Sequence, residues 1–223
     1  MFRKLMRFHR EQRGITGLET AIILIAFVVV ASVFAYTVLS AGIFSSEKGK
    51  EAIHSGIQEV RSSMEIRGNV TGYKASISGQ SDSIGKLDFI VANVLDGTSL
   101  NVTAPYTISG TTISANTGVS PVINISYQDK TQYLATTAWT SAFIGKTNSD
   151  WQLDADEKAV ISIYLLDYQA GVYATAAAPF ISSTSNLLTT YKDFSVEIRP
   201  PVGASIVVNR TTPAKIDSVI DLR

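Results

Sequence analysis

Residues capable of catalysis are scarce in this chain. Its 223 residues include two histidines and no cysteine, which excludes disulfides, zinc–thiolate sites and cysteine nucleophiles. His9 lies in a basic N-terminal stretch and His54 on a predicted helix, so neither is placed to join a Ser-His-Asp set with the distant body. No H-E-x-x-H motif, phosphate-binding glycine loop or dinucleotide fingerprint occurs. We expect a protein that is not an enzyme, although the sequence leaves carboxylate-only catalysis open.

Four acidic residues lie close together in the second half of the chain: Asp150, Asp154, Asp156 and Glu157. Hard cations such as Ca²⁺ take several oxygen ligands from one loop, so these side chains are candidate metal ligands. Their spacing does not follow the twelve-residue EF-hand pattern. We favour a solvated acidic loop before a strand and keep a Ca²⁺ site as the alternative.

The N-terminus combines a basic head with a long apolar run. Residues 20–46 are 27 consecutive uncharged residues, and about 20 apolar residues span a bilayer as a helix. Basic residues beside such a run stay on the cytoplasmic side. The rest of the chain is acidic overall and has no basic patch for nucleic acid. The basic residues are Arg3, Lys4, Arg7, Arg10 and Arg13.

Three interpretations fit this N-terminus: a secretory signal peptide, a permanent membrane anchor, and a helix that is first an anchor and later a polymer core. A signal peptide normally has only about 7–15 apolar residues. A cut between Gly14 and Ile15 would remove the basic head and keep the apolar helix. Glu19 would then be the fifth residue. A carboxylate there is costly in lipid unless it is paired, and a new α-amine is a suitable partner. The alternative is a helix-start residue with no partner.

This region resembles the leader and helix of archaellins, the archaeal flagellins of the type IV pilin-like superfamily. The resemblance rests on Arg13-Gly14, Glu19 and the apolar residues 20–36, and it covers about residues 10–66. It implies a class III signal peptide at residues 1–14 that prearchaellin peptidase removes, and a precursor in the cytoplasmic membrane. It further implies subunits that the archaellum assembly machinery polymerises, with themselves and with other archaellins, into an extracellular helical filament for swimming.

An α+β fold is predicted for the remainder. Apolar residues at Ile53, Ile57, Val60 and Met64 indicate that the helix, predicted over residues 15–67, continues with one apolar stripe. That stripe suits packing against the chain's own body. Residues 68–223 alternate short runs rich in Val, Ile, Thr and Tyr with turn residues. We predict an immunoglobulin-like β-sandwich there, with an exposed loop over residues 171–185.

The predicted extracellular body carries four N-x-S/T sequons. We expect at least one to hold a covalent N-glycan, and the archaellin resemblance implies the same modification. No other cofactor is expected. Two alternatives to an archaellum subunit remain from sequence: an adhesive archaeal pilin, and a membrane-anchored surface domain that binds a ligand. The sequon asparagines are Asn69, which adjoins the predicted helix end, and Asn101, Asn124 and Asn209.

Overall fold

The computed structural model describes residues 2–61, 64–77, 79–94, 99–145 and 150–222. They form two compact units, Met1–Ser55 and Gly56–Arg223. The first is helical. The second begins with the last helical turns and continues as a strand-rich head domain.

One helix, α1, runs from Phe2 to Arg61 over 60 residues. No proline interrupts it, and a helix satisfies every interior backbone group within the segment, as an apolar environment requires. The backbone is helical on both sides of Gly14 and Ile15. The predicted leader boundary is therefore not a boundary of secondary structure.

The prediction of a helix to residue 67 is wrong by six residues. Met64–Ile66 forms a strand, in which Met64 pairs with Asn93 and is buried. Burial of Met64 in the head core together with ladder hydrogen bonds outweighs its helical propensity. Gly68 has φ 93°, a left-handed conformation that glycine adopts readily, and it turns the chain into the next strand.

The described residues of the head domain form sixteen strands and one short 3₁₀ helix, Thr184–Asn186. The strands are β1 Met64–Ile66, β2 Val70–Ile77, β3 Gln80–Asn93, β4 Leu100–Asn101, β5 Tyr106–Ser109, β6 Thr112–Ala115, β7 Asn124–Asp129, β8 Tyr133–Leu134, β9 Ala138–Ile144, β10 Gln152–Leu153, β11 Lys158–Tyr164, β12 Asp167–Gln169, β13 Val172–Ala174, β14 Asp193–Arg199, β15 Ile206–Thr211 and β16 Val219–Leu222.

Two main antiparallel sheets and three two-stranded sheets form the described part of the head. The larger sheet has the order β16-β2-β3-β11-β9, with β1 also paired to β3, and the smaller sheet has the order β15-β14-β7-β8. One continuous buried cluster takes side chains from both sheets, among them Ile161 and Phe89 from the larger and Ile125 and Val196 from the smaller. This confirms a long helix followed by a strand-rich domain. The immunoglobulin-like strand arrangement stays a prediction.

A second, aromatic cluster covers part of the outer face of the larger sheet. Tyr168 and Tyr173, from the β12–β13 hairpin, lie with ring centroids 4.6 Å apart. A Cβ at Gly85 would come within 2.9 Å of the Tyr173 ring, so only glycine lets this hairpin lie so close to β3. The predicted exposed loop over residues 171–185 is wrong, because it contains β13 and the buried residues Phe180 and Ile181.

The β7–β8 turn is organised by one carboxylate. Asp129 Oδ1 accepts hydrogen bonds from the backbone amides of Thr131, at 2.6 Å, and Gln132, at 3.0 Å. Its Oδ2 accepts one from the Tyr127 hydroxyl at 3.0 Å. Partial burial acts to raise the pKa of Asp129. Hydrogen bonds from the Thr131 hydroxyl and the Gln132 carboxamide, together with those from the Thr131 amide and the Tyr127 hydroxyl, outweigh burial and lower the pKa. The ionised carboxylate therefore stabilises the turn.

Candidate assembly surface on the N-terminal helix

Helix α1 leaves its apolar surface uncovered. From Gly17 to Val60 every residue is exposed in the chain on its own. Monomeric soluble proteins rarely expose contiguous apolar patches of more than a few hundred Å², and this surface runs along about 65 Å of helix at 1.5 Å per residue. The exposed large side chains are Leu18, Ile22, Ile23, Leu24, Ile25, Phe27, Val28, Val29, Val30, Val33, Phe34, Tyr36, Val38, Leu39, Ile43, Phe44, Ile53, Ile57 and Val60.

The same segment is suited to lipid. By length and composition, the helix over Gly17–Val60 can cross a membrane. Its hydroxyl groups bond to their own helix: Ser32 donates to the Val29 carbonyl at 2.8 Å, and Thr37 donates to that of Phe34 at 2.8 Å. Such back-bonding removes the cost of an unpaired hydroxyl in an apolar environment.

Glu19 is the one acid at the start of this surface. It is exposed and makes no hydrogen bond or ion pair with any described residue. It lies four residues after Ile15, a rise of about 6 Å, and helical side chains lean toward the N-terminus. A carboxylate on Glu19 would therefore extend toward an α-amine created at Ile15.

A shallow groove of about 340 Å³ lies farther along one face of the helix. The archaellin resemblance covers these positions, but the sequence did not predict a groove there; their spacing of three and four residues places them on one face. Side chains of a neighbouring helix fit such grooves when helices pack. The lining residues are Tyr36, Leu39, Ser40, Ile43, Phe44 and Glu47.

The four sequon asparagines differ in their surroundings. Asn69 is exposed and donates to Asp221 Oδ2 at 2.7 Å, so the helix end that was predicted beside it does not crowd it. Asn101 is half-buried, and its Oδ1 accepts from the Thr103 amide at 2.8 Å. Asn124 is exposed and donates to the Ala135 carbonyl at 3.2 Å. The Asn209 side chain is exposed and makes no hydrogen bond with a described residue.

Two sequons share one surface of the head. Asn124 pairs with Arg199, and Asn209 pairs with Ser195, both on β14. Their chain neighbours Ile125 and Val208 point into the core, and strand side chains alternate between faces. Both asparagines therefore project from the outer face of the smaller sheet.

The acidic cluster forms a local turn. Glu157 is 8 % exposed, its Oε2 accepts from the Asp154 amide at 3.3 Å, and its own amide donates to the Asp154 carbonyl at 3.1 Å. Asp150 accepts from the Gln152 amide at 2.8 Å, and Asp156 is exposed. No group of three His, Cys, Asp or Glu is arranged for a metal among the described residues. The Asp150 and Glu157 carboxylates thus hold local turns, and the burial of Glu157 departs from the predicted solvated loop.

Residues 14–210 match the family model for archaeal-type flagellin. The chain belongs to the archaeal-type flagellin family. This confirms the resemblance predicted from the N-terminal residues. The family is one of structural filament proteins.

Full-length relatives agree with this assignment. This flagellin is 30% identical over 223 residues to probable flagellin 1 of Archaeoglobus fulgidus, covering 97% of this chain and 98% of that protein. It is 29% identical over 220 residues to probable flagellin 1 of Aeropyrum pernix, covering 93% and 95%. Its fold is similar to that of the archaeal flagellum of Methanospirillum hungatei strain JF1, with a TM-score of 0.59, 23% identity, and coverage of 92% and 98%.

The role of the acidic turn can be tested by truncation. In the full-length flagellin in detergent, we expect Glu157→Ala to lower the unfolding free energy by about 1–3 kcal/mol, because it removes a buried side chain that accepts a hydrogen bond from the half-buried Asp154 amide. The control Asp156→Ala should change it by less than about 0.5 kcal/mol. Denaturant unfolding with Ca²⁺ or with EDTA should give the same midpoint. A Ca²⁺-dependent increase in stability that both substitutions abolish would contradict the structural role.

Proposed function

We propose that this flagellin is a structural, non-catalytic subunit of an extracellular archaellum filament and that it polymerises through α1. The observation that carries the proposal is the uncovered apolar surface of the helix. Burying about twenty large apolar side chains from water would gain roughly 30–60 kcal/mol, at ~1.5–3 kcal/mol each. No described part of the chain provides that burial, so lipid must cover the helix before assembly and other copies of the helix must cover it in the filament.

The membrane precedes the filament in this proposal. The basic residues before Gly14 hold the precursor N-terminus on the cytoplasmic side, and the apolar helix crosses the bilayer. Prearchaellin peptidase then cuts between Gly14 and Ile15. The match to the family model, which begins at residue 14, supports this position.

Helix packing determines the free energy of moving α1 from lipid into the filament. Lipid and a helix bundle are both apolar, so the hydrophobic contribution nearly cancels between them. Extraction and ordering of subunits therefore require the archaellum assembly machinery as a partner. Copies of the same chain, and other archaellins, are the partners within the filament.

Glu19 has a specific role at this step. Cleavage gives Ile15 an α-amine with a pKa of about 7.7–8.0 in its reference state, largely cationic at neutral pH. A salt bridge between this amine and Glu19, within one subunit or between neighbours, neutralises two charges that an apolar core would otherwise hold unpaired.

N-glycans are part of the proposal. Exposed asparagines are accessible for modification, and glycans favour a hydrated surface. Asn209 is the most accessible candidate, because its carboxamide is not engaged by described residues. Asn101 is the least favourable, since it is half-buried and held in a turn.

The filament itself provides the first test. Surface filaments purified from the producing cells should contain this flagellin, with Ile15 as the first residue of the band in N-terminal sequencing. A band that begins at Met1 would indicate an uncut anchor. A band that begins near Gly42, in material that forms no filaments, would indicate a secreted soluble domain.

Glu19 can be tested within that assay. We expect Glu19→Val to leave membrane insertion and cleavage intact but to abolish or strongly reduce filaments, because the α-amine loses its partner. Glu19→Gln should reduce them as well, since it removes the charge at constant size. The control Ser32→Ala, which removes a hydroxyl bonded only to its own helix, should assemble normally. Normal filaments from both Glu19 variants would show that the charge is dispensable.

Sequon use is measured by peptide mass spectrometry of the filament subunit. We expect a glycan mass on Asn209, and Asn209→Gln should remove that mass. Asn101 should be unmodified. Four unmodified asparagines in filaments would contradict the proposed glycosylation.

A further inference from the structure

Strand β9 is an uncharged edge strand of the larger sheet, and strand β5 of the same head lies close beside part of it. The edge strands of the two main sheets are β1, which carries Glu65, and β16, β9, β15 and β8. Asp221 lies on β16, Arg210 lies on β15, and β8 has only two residues. β9 has seven residues, Ala-Trp-Thr-Ser-Ala-Phe-Ile, and no charge. Soluble β-proteins protect their edges with charges or by keeping them short, so β9 has the composition of a strand with a partner.

A groove of about 390 Å³ lies beside β9, between that strand, the β5 segment and Trp151. Trp151 is 50 % exposed and Ile108 is 42 % exposed. Two polar groups of the lining bond within the head: Ser141 donates to the Val102 carbonyl at 2.8 Å, and Asn116 donates to that of Ala104 at 3.5 Å. The groove therefore offers a partner the exposed side chains of Trp151 and Ile108, and tryptophan is a residue that commonly anchors protein interfaces.

The size of the head identifies the partner. Packed helices lie 8–10 Å apart. A unit the size of Gly56–Arg223 has a radius of gyration of about 15 Å. Heads attached to neighbouring helices of one filament must therefore touch. Tethering also raises their local concentration to the millimolar range. The available occupant of the groove is a second copy of the same head.

The outer face of the smaller sheet has the opposite character. Its β14 residues include Asp193, Glu197 and Arg199, and it carries the sequons of Asn124 and Asn209. Lys130 forms an ion pair with Asp193 at 2.8 Å. Burial of these groups in an interface would require desolvation of several charges. We therefore expect this face to be exposed to solvent.

We propose that the groove beside β9 docks the head domain of a second copy of this flagellin, while the outer face of the smaller sheet faces the medium. The inference rests on the proposed filament and adds to it a contact between heads, outside the helical core. The contact is centred on β9 and Trp151.

Cysteine labelling can test this contact because the chain has no native cysteine. Ala142→Cys places a thiol on β9 in the groove, where Ala142 is exposed. Val207→Cys is the matched control, since Val207 is 56 % exposed on the outer face of the smaller sheet. A small maleimide is added to intact filaments and to detergent-dissociated subunits, and labelling rates are compared.

We expect Ala142→Cys to react about tenfold or more slowly in filaments than in subunits, because a thiol under a partner is reached only through local opening. Val207→Cys should react at similar rates in both. Filaments in which Ala142→Cys reacts as fast as in subunits would overturn the docking surface and leave the filament function standing. If the unsubstituted chain forms no filaments, both proposals fail.

A second variant pair separates a docking role from simple burial. Ala142→Arg places a charge in the contact, whereas Val207→Arg places one toward the medium. We expect Ala142→Arg to lower the dissociation temperature of filaments and to leave the unfolding temperature of detergent-dissociated subunits unchanged. Val207→Arg should change neither. Equal filament stability for the two variants would contradict the proposed contact.

Discussion

The apolar surface of α1 imposes the constraint on which the rest of this flagellin depends. A helix exposed over Gly17–Val60 has no stable state free in water, so it must always lie in lipid or against other helices. In the proposed function, this is the reason for a basic, removable leader: the helix must be inserted and oriented before it can assemble. It also explains the back-bonded hydroxyls of Ser32 and Thr37, which are tolerated equally in lipid and in a protein core.

The head domain meets the opposite requirement, because it must be stable in water without help from the helix. It has no disulfide to constrain its unfolded state, since the chain has no cysteine. Its stability rests instead on one continuous core shared by two sheets. The last strand, β16, pairs with β2, the second strand of the domain. Backbone hydrogen bonds therefore join the last strand of the head domain to a strand near its start. Such long-range pairing makes the domain self-contained.

The sequence predicts local periodicity well and tertiary context poorly. The uncharged run predicts α1, and the short runs rich in Val, Ile, Thr and Tyr predict a strand-rich body, as observed. The helix end was misplaced because Met64 continues the apolar stripe of Ile57 and Val60, and spacing alone cannot show that Met64 pairs with Asn93. The sequence also could not show that Asn124 and Asn209 lie on the same face of one sheet, because this follows from the register of their strands with β14.

The two halves of the molecule also divide the energetics of assembly. For the helix, transfer from lipid to a filament core exchanges one apolar environment for another, so the hydrophobic effect contributes little. The head lies in water both before and after assembly. Any apolar area that neighbouring heads bury therefore stabilises the filament by about 25 cal/mol per Å². In the proposed assembly, the helix therefore determines the positions of subunits through close packing and through the proposed ion pair of Glu19. The head contacts are where solvent-driven burial can add stability to the assembled filament.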